Sequence, residues 1–414
     1  MTEKAEVVII GAGPSGSIAA ALLNKMGHQV VVLEKDRFPR FSIGESLLPQ
    51  CMEFIELAGM TEAVRAEEFQ LKNGAAFACG DKHGSFDFTK KFTPGPGTTF
   101  QVLRSRFDQV LADTAMEQGV DIRFEKKITA VSFDSNGSSQ LTIENEIGKK
   151  STLNAKYLLD ASGFGRVLPR LLDLELPSDF PVRQSLFTHI EDNICDNRFD
   201  RDKILFVIHP QYHDVWYWLI PFSNGRCSLG VVSEAAFFDR FVGKSNMQIL
   251  RETVADSPNL SPLLSNSHFD TPVQTIKGYS SNVKSLWGNG FALLGNAGEF
   301  LDPVFSSGVT IAMKSAALVA PLVSRQLKGG QVEWEAEYSQ ILKTGVETFR
   351  ACVNNWYDGS LQQIIFADDQ SSATREIGDM VCSILAGYAW DTQNPFVQDP
   401  EKRLKMLAQL CTVA

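Results

Sequence analysis

Three groups of residues in this sequence have types and spacings that could do chemistry. The first is Lys72, set in the short apolar run FQLKNGAAF (69–77). Taking an ammonium out of water is costly unless it is paired. Such a lysine either lays its stem on apolar surface and keeps its head in water, or is buried, and burial favours the neutral, nucleophilic amine. The second group is the turn GAGPSG, with Gly11, Gly13, Ser15 and Gly16. One glycine permits a tight turn, the next lets backbone approach a pyrophosphate, and the last allows helix and strand to pack closely. The helix that follows turns free N–H groups and the positive end of its dipole toward phosphate. The third group is Ser306-Ser307-Gly308, ahead of the apolar run VTIAMKSAALVAPLV. Backbone N–H groups of Ser307 and Gly308 at a helix start suit a small anion.

Particular elements must carry these groups. Residues 7–10 are a continuous apolar run, the pattern of a strand buried on both faces, and lead into the glycine turn. Residues 17–27 repeat apolar positions at helical spacing and close on Gly27 as a C-cap. Residues 29–33 read as a second buried strand ending at Glu34, where an acid can accept hydrogen bonds from ribose hydroxyls. This is a βαβ unit. The pattern next predicts a helix over 106–117, a strand over 120–124, and antiparallel strands across 127–159 that return to a buried strand at 157–160. Strand-like segments fill 180–275, with a helix near 234–254; a last buried strand covers 291–294, and the chain is helical after 308. Nucleotide-binding elements recur at 7–34, 101–108, 157–166 and 291–314, so a second unit must be inserted between them.

Composition narrows the class. The chain has 414 residues, 44% hydrophobic and 21% charged, enough for a large buried core. Its net charge of −10 and lack of any Lys/Arg block exclude nucleic acid as the expected partner. Seven scattered cysteines offer no C-x-x-C pair and no Cys/His ligand spacing, so neither a disulfide framework nor a metal site is expected. His189, His209 and His213 come without a matching ligand set and are expected in solvated or core roles. No signal-peptide layout opens the chain, and no uninterrupted apolar segment is long enough to span a bilayer. A cytoplasmic protein with no membrane partner is the expectation.

With the fingerprint come LLGNAGEFLDP (293–303) and YLLDASGFGR (157–166). In this order the three elements resemble the family of FAD-dependent aromatic hydroxylases, halogenases and geranylgeranyl-type reductases. The resemblance implies an α/β, Rossmann-like FAD-binding domain of the para-hydroxybenzoate-hydroxylase kind over 1–180 and 276–330. It also implies an inserted antiparallel substrate sheet over 181–275 and a helical C-terminal part over 331–414. Arg40 in FPRFSIGES and Arg104 in VLRSRFD would contact the flavin nucleotide. Asp160 and Asn296 would line its ribityl and pyrophosphate region, Asn296 standing where an Asp is usual, and Asp302, Gly308 and Val309 belong to the same site.

Two further motifs, GESLLP (44–49) and WYWLIP (216–221), resemble those of flavin-dependent halogenases. In that family a lysine in a context like that of Lys72 is catalytic. Reduced FAD and O2 convert a halide, chloride or bromide, to hypohalous acid, and the lysine carries the halogen to the substrate as a haloamine or by hydrogen bonding. Ser307 and Gly308 would seat the halide. Tryptophan halogenases carry a glutamate just before the Ser-Thr-Gly stretch; here Phe305 stands there. That departure makes the sequence more similar to halogenases of phenols and of pyrroles tethered to an acyl or peptidyl carrier protein. A single dinucleotide fingerprint implies that reduced FAD comes from a separate flavin reductase. A flavin hydroxylase and a geranylgeranyl-type reductase are the alternative enzyme readings.

Overall fold

A computed structural model describes residues 3–367 and 372–413. Its first sheet runs in the order Trp287–Gly288, Phe291–Leu293, Lys150–Asp160, Glu3–Ile10, Val30–Leu33, Asp121–Arg123. The last five strands are parallel, and Val7 to Ile10 are almost wholly buried, as a sheet covered on both faces requires. Ile10 pairs with Leu33 on one side and with Asp160 on the other, and Asp160 pairs with Leu293. Four strands therefore end level, and the loops that follow all open on one edge. A ligand crevice belongs there in sheets of this kind.

The helix Pro14–Lys25 packs against the long helix Ser307–Leu327, which crosses the core of the domain. That long helix has its apolar run interrupted by the charged residues Lys314 and Arg325. Its length and composition would let it cross a membrane, yet 67% of its most apolar window is buried inside the protein, the packing of a core helix.

The second sheet has seven strands in the order Gln274–Lys277, Arg183–Glu191, Arg226–Glu234, Trp216–Pro221, Lys203–Ile208, Gly74–Cys79, Lys82–Asp87. All neighbours are antiparallel except Lys203–Ile208 with Gly74–Cys79. Two of its strands thus come from 74–87, ahead of the 181–275 stretch expected to form it. The central strand WYWLIP is buried at every position. Alternation sends Trp216, Trp218 and Ile220 toward the first domain, while Tyr217 and Leu219 join a separate core with Phe237, Phe238 and Leu250. Gly230 lies opposite Trp218, and a Cβ there would fall 2.2 Å from the indole, so only glycine leaves room for that ring.

The helix expected over 234–254 is interrupted. Ala235–Phe238 ends early, Gly243 takes φ +89°, and Asn246–Ala255 restarts behind a capping box of Ser245 and Gln248. Beyond 330 the described chain is helical, and Gln340–Tyr357 packs on the Ser307–Leu327 helix.

Candidate active site

A cavity of about 500 Å³ opens at the level strand ends, between the two sheets. Its nucleotide side is built by the glycine turn. Gly11 sits at φ +95°, and a Cβ on Gly16 would lie 1.9 Å from the Gly11 carbonyl oxygen, so both are fixed by packing. Gly13 differs: a Cβ there would meet nothing closer than Arg40 at 3.5 Å, and the residue lines the cavity. Gly13 and Ser15 present the open start of the helix Pro14–Lys25, which has no side-chain cap. A pyrophosphate fits this cradle, because its oxygens can accept the uncapped N–H groups.

Glu34 is buried at the cavity edge and accepts from the Ala12 N–H at 2.9 Å and the Asp36 N–H at 3.0 Å. Arg40 and Arg104 both line the cavity and meet on one buried carboxylate, Asp108. Arg104 donates to Asp108 at 2.7 and 3.1 Å and also holds the Ile43 and Gly44 carbonyls, which ties the GES loop to the helix Arg104–Glu117. The i,i+4 spacing of Arg104 and Asp108 was the available sequence signal for this clamp.

Asn296 lines the cavity, and its side-chain oxygen is buried without a partner among the described residues. Ser46 Oγ, also at the cavity, is in the same condition. Buried polar atoms of this kind are rare unless a ligand satisfies them, and flavin ribityl hydroxyls would. Asp160 and Asp302 stand elsewhere. Neither lines the cavity. Asp160 accepts from the Ser162 and Leu168 N–H groups at 2.9 and 2.6 Å and shapes the 160–168 loop; burial raises its pKa. Asp302 caps the turn 303–305 through the Val304 N–H and accepts from the Tyr357 hydroxyl at 3.1 Å. Burial pushes its pKa up to about 6, against the pull of Arg183.

Ser306, in the left-handed region at φ +55°, holds the N-cap position of the helix Ser307–Leu327 without a side-chain capping bond. Ser306, Gly308 and Val309 line the cavity, and Ser307 is buried one step behind. The facing wall is Ile204, Phe206, Trp216, Trp218 and Ile220. Trp216 donates its indole N–H to the Tyr357 hydroxyl at 3.0 Å, which links this wall through Asp302 to the anion-suited turn. Trp218 donates to Ser228 Oγ at 3.0 Å.

Lys72 ends the short strand Gln70–Lys72 and is only 1% exposed. Its Nζ donates to the Leu47 carbonyl at 2.8 Å and lies 5.4 Å from the centre of the Phe88 ring. Among the described residues no carboxylate faces it, and burial lowers its pKa to about 7. Lys72 is not itself a cavity-lining residue, but the residues just before Leu47, Glu45 and Ser46, are. The snorkelling alternative for this lysine is removed. His189, expected in a solvated or core role, instead pairs with Glu45 at 2.6 Å and pins the GES loop to the second sheet.

The FAD binding domain family matches residues 4–329. A pyrrole-2-carbonyl peptidyl-carrier-protein chlorinase from Pseudomonas fluorescens is 28% identical over 378 residues, 85% of this chain and 82% of its own length. The chain belongs to the flavin-dependent halogenase family. A tryptophan 2-halogenase from Chondromyces crocatus is 30% identical over 334 residues, covering 78% of this chain and 62% of that halogenase. The chain thus spans less than two thirds of that relative's length. A solved structure described as a flavoprotein/dehydrogenase, from Cytophaga hutchinsonii, is 43% identical with a TM-score of 0.94 and 99% coverage of both chains. FAD is the cofactor that the family and the cradle share.

Proposed function

We propose that this protein halogenates an electron-rich aromatic ring, with Lys72 as the relay for the oxidised halogen. The observation that carries the reading is a fully buried lysine with a pKa of about 7, hydrogen-bonded to the backbone of the loop that walls the flavin cavity. Bound reduced FAD and O2 would supply the oxidant that turns chloride or bromide into hypohalous acid. Gly11, Gly13, Ser15, Gly16, Arg40, Arg104 and Asn296 would hold the nucleotide and ribityl chain, and the N–H groups of Ser307 and Gly308 would seat the halide.

Lys72 then has one of two tasks. As a neutral amine it takes the halogen from hypohalous acid, forming N–X and releasing water. The ring then forms C–X as N–X breaks, the bond's electron pair stays on nitrogen, and the proton the ring loses is matched by one the nitrogen takes up to restore the amine. As an ammonium it donates a hydrogen bond that polarises hypohalous acid toward the ring. Arginine could do only the second.

Two names among the relatives, the Pseudomonas chlorinase and a brominase of the same tethered pyrrole from Pseudoalteromonas luteoviolacea, favour a pyrrole on an acyl or peptidyl carrier protein. Phe305, buried where tryptophan halogenases carry a glutamate, favours a ring that gives up its proton without help. The reading includes a separate flavin reductase and a cytoplasmic setting. The name of the Cytophaga relative favours a second reading, hydride transfer in the manner of a reductase. Mass spectrometry after incubation with FAD, NADH, a flavin reductase, O2, halide, and a pyrrolyl carrier protein, a free phenol or an isoprenoid alkene separates them. Halogen isotope pattern in the product supports halogenation; a reduced alkene formed without O2 or halide supports the reductase.

A further inference from the structure

We propose that Lys35, Lys126, Lys127 and Arg170 form an electrostatic funnel that speeds arrival of the flavin's diphosphate without helping to retain it. This rests on the FAD site, not on the halogenation chemistry. The chain carries a net charge of −10, so its average surface repels a diphosphate. The cavity does the reverse. Six cationic side chains line it against three carboxylates, Glu34, Asp36 and Glu45.

The six cations fall into two sets. Arg40 and Arg104 are held by the buried Asp108 and belong to the framework of the site. The other four stand at the rim. The Lys35 and Arg170 side chains are 64% and 59% exposed, and Lys127 is also exposed. They surround the nucleotide end: Lys35 follows Glu34, and the Lys126 N–H donates to the Glu34 carbonyl at 2.9 Å. Arg170 lies on the short helix Val167–Leu171, which packs against the strand Lys126–Phe133 that carries the two lysines. Asp36 and Glu175 pair with Lys35 and Arg170 at 3.6 and 3.5 Å, but such exposed pairs are loose. Lys126 and Lys127 form no ion pair among the described residues. Cations on the rim of a low-dielectric cleft focus the field outward and raise association rates, and salt removes the effect. Reduced flavin released into aerated solution is short-lived, so fast capture would be useful to an enzyme supplied by a separate reductase.

The test is stopped-flow quenching of FAD fluorescence by apoprotein, between about 20 mM and 500 mM NaCl. For the native chain the association rate should fall about 10-fold over that range. With Lys35→Gln, Lys126→Gln, Lys127→Gln and Arg170→Gln combined, it should start about 10-fold lower and change little with salt. Dissociation should stay within about twofold, because rim charges screened by water add little to the bound state. Riboflavin, which has no phosphate, should associate at a salt-independent rate in both proteins. An unchanged association rate and salt slope in the variant would overturn the proposal, as would a loss confined to dissociation. Loss of binding to an acidic carrier protein with FAD capture intact would also overturn it, by making the rim a protein-docking surface.

Discussion

The Nζ of Lys72 lies 2.8 Å from the Leu47 carbonyl oxygen, and among the described residues no carboxylate shares the site with it. One neutral acceptor cannot offset the loss of hydration, so the folded protein favours the neutral amine. The consequence for stability has a definite sign. The native pKa is about 7 and the unfolded value is that of free lysine, so between these the unfolded chain binds more protons and stability rises with pH. Replacing Lys72 with Met should therefore stabilise the fold, and by about 3 kcal/mol more at pH 6.5 than at pH 9.5. Urea unfolding at the two pH values checks this; an equal effect at both would mean the lysine is charged in the fold.

Asn296 offers a second test. Its side-chain oxygen is buried and unpartnered at the cavity wall. Asn296→Leu should weaken FAD binding about 10-fold, the equivalent of one hydrogen bond of about 1.4 kcal/mol. Asn296→Asp, which restores the residue usual in the family, should bind within a few-fold of the native chain. Titration calorimetry reads both. Unchanged affinity in the leucine variant would show that the orphaned oxygen has no ligand.

The Tyr357–Asp302 bond predicts a pH-dependent loss. Tyr357→Phe removes a donor to a carboxylate whose pKa burial has raised to about 6. That donor stabilises the ionised form, present above pH 6, more than the neutral form. The variant should lose about 1–2 kcal/mol at pH 8 and less at pH 5. Denaturant melts at both values test it, and a larger loss at pH 5 would refute the assignment. Freeing the Trp216 indole N–H should also change tryptophan fluorescence.

Gly230→Ala places a Cβ 2.2 Å from the Trp218 ring, inside a buried strand pair. The indole must move or the sheet must bend, at about 1–3 kcal/mol. Thermal unfolding should show the loss, and the variant's cavity should bind FAD less tightly because Trp218 lines it. An alanine tolerated without cost would show that the ring is loosely held.

What was legible in the sequence was what is local. Gly11, Gly13, Gly16 and Glu34 sit within one βαβ unit, and their spacing alone encodes the turn, the helix start and the acid. Lys72 was legible only as an anomaly of residue type in an apolar run. The pairs that complete the site were not legible, because their partners are far apart in sequence. Glu45 meets His189 across 144 positions, and Trp216 meets Tyr357 across 141. Asp160 and Asp302 were expected at the flavin site on resemblance alone, and the spacing could not show that nearby backbone amides would take their carboxylates. The 74–87 segment carries no alternation that would assign it to the second sheet, and only tertiary pairing with Lys203–Ile208 does so.

The central claim is that Lys72 carries the halogen from the flavin cavity to the ring. The most direct measurement is a single turnover with FAD pre-reduced, then O2 and bromide added, in native and Lys72→Met protein. Both brominated substrate and free hypobromous acid are counted, the latter with a soluble trap. The account predicts brominated substrate from the native chain, and from Lys72→Met only trapped hypobromous acid in comparable total yield. Equal brominated substrate from both proteins would contradict it.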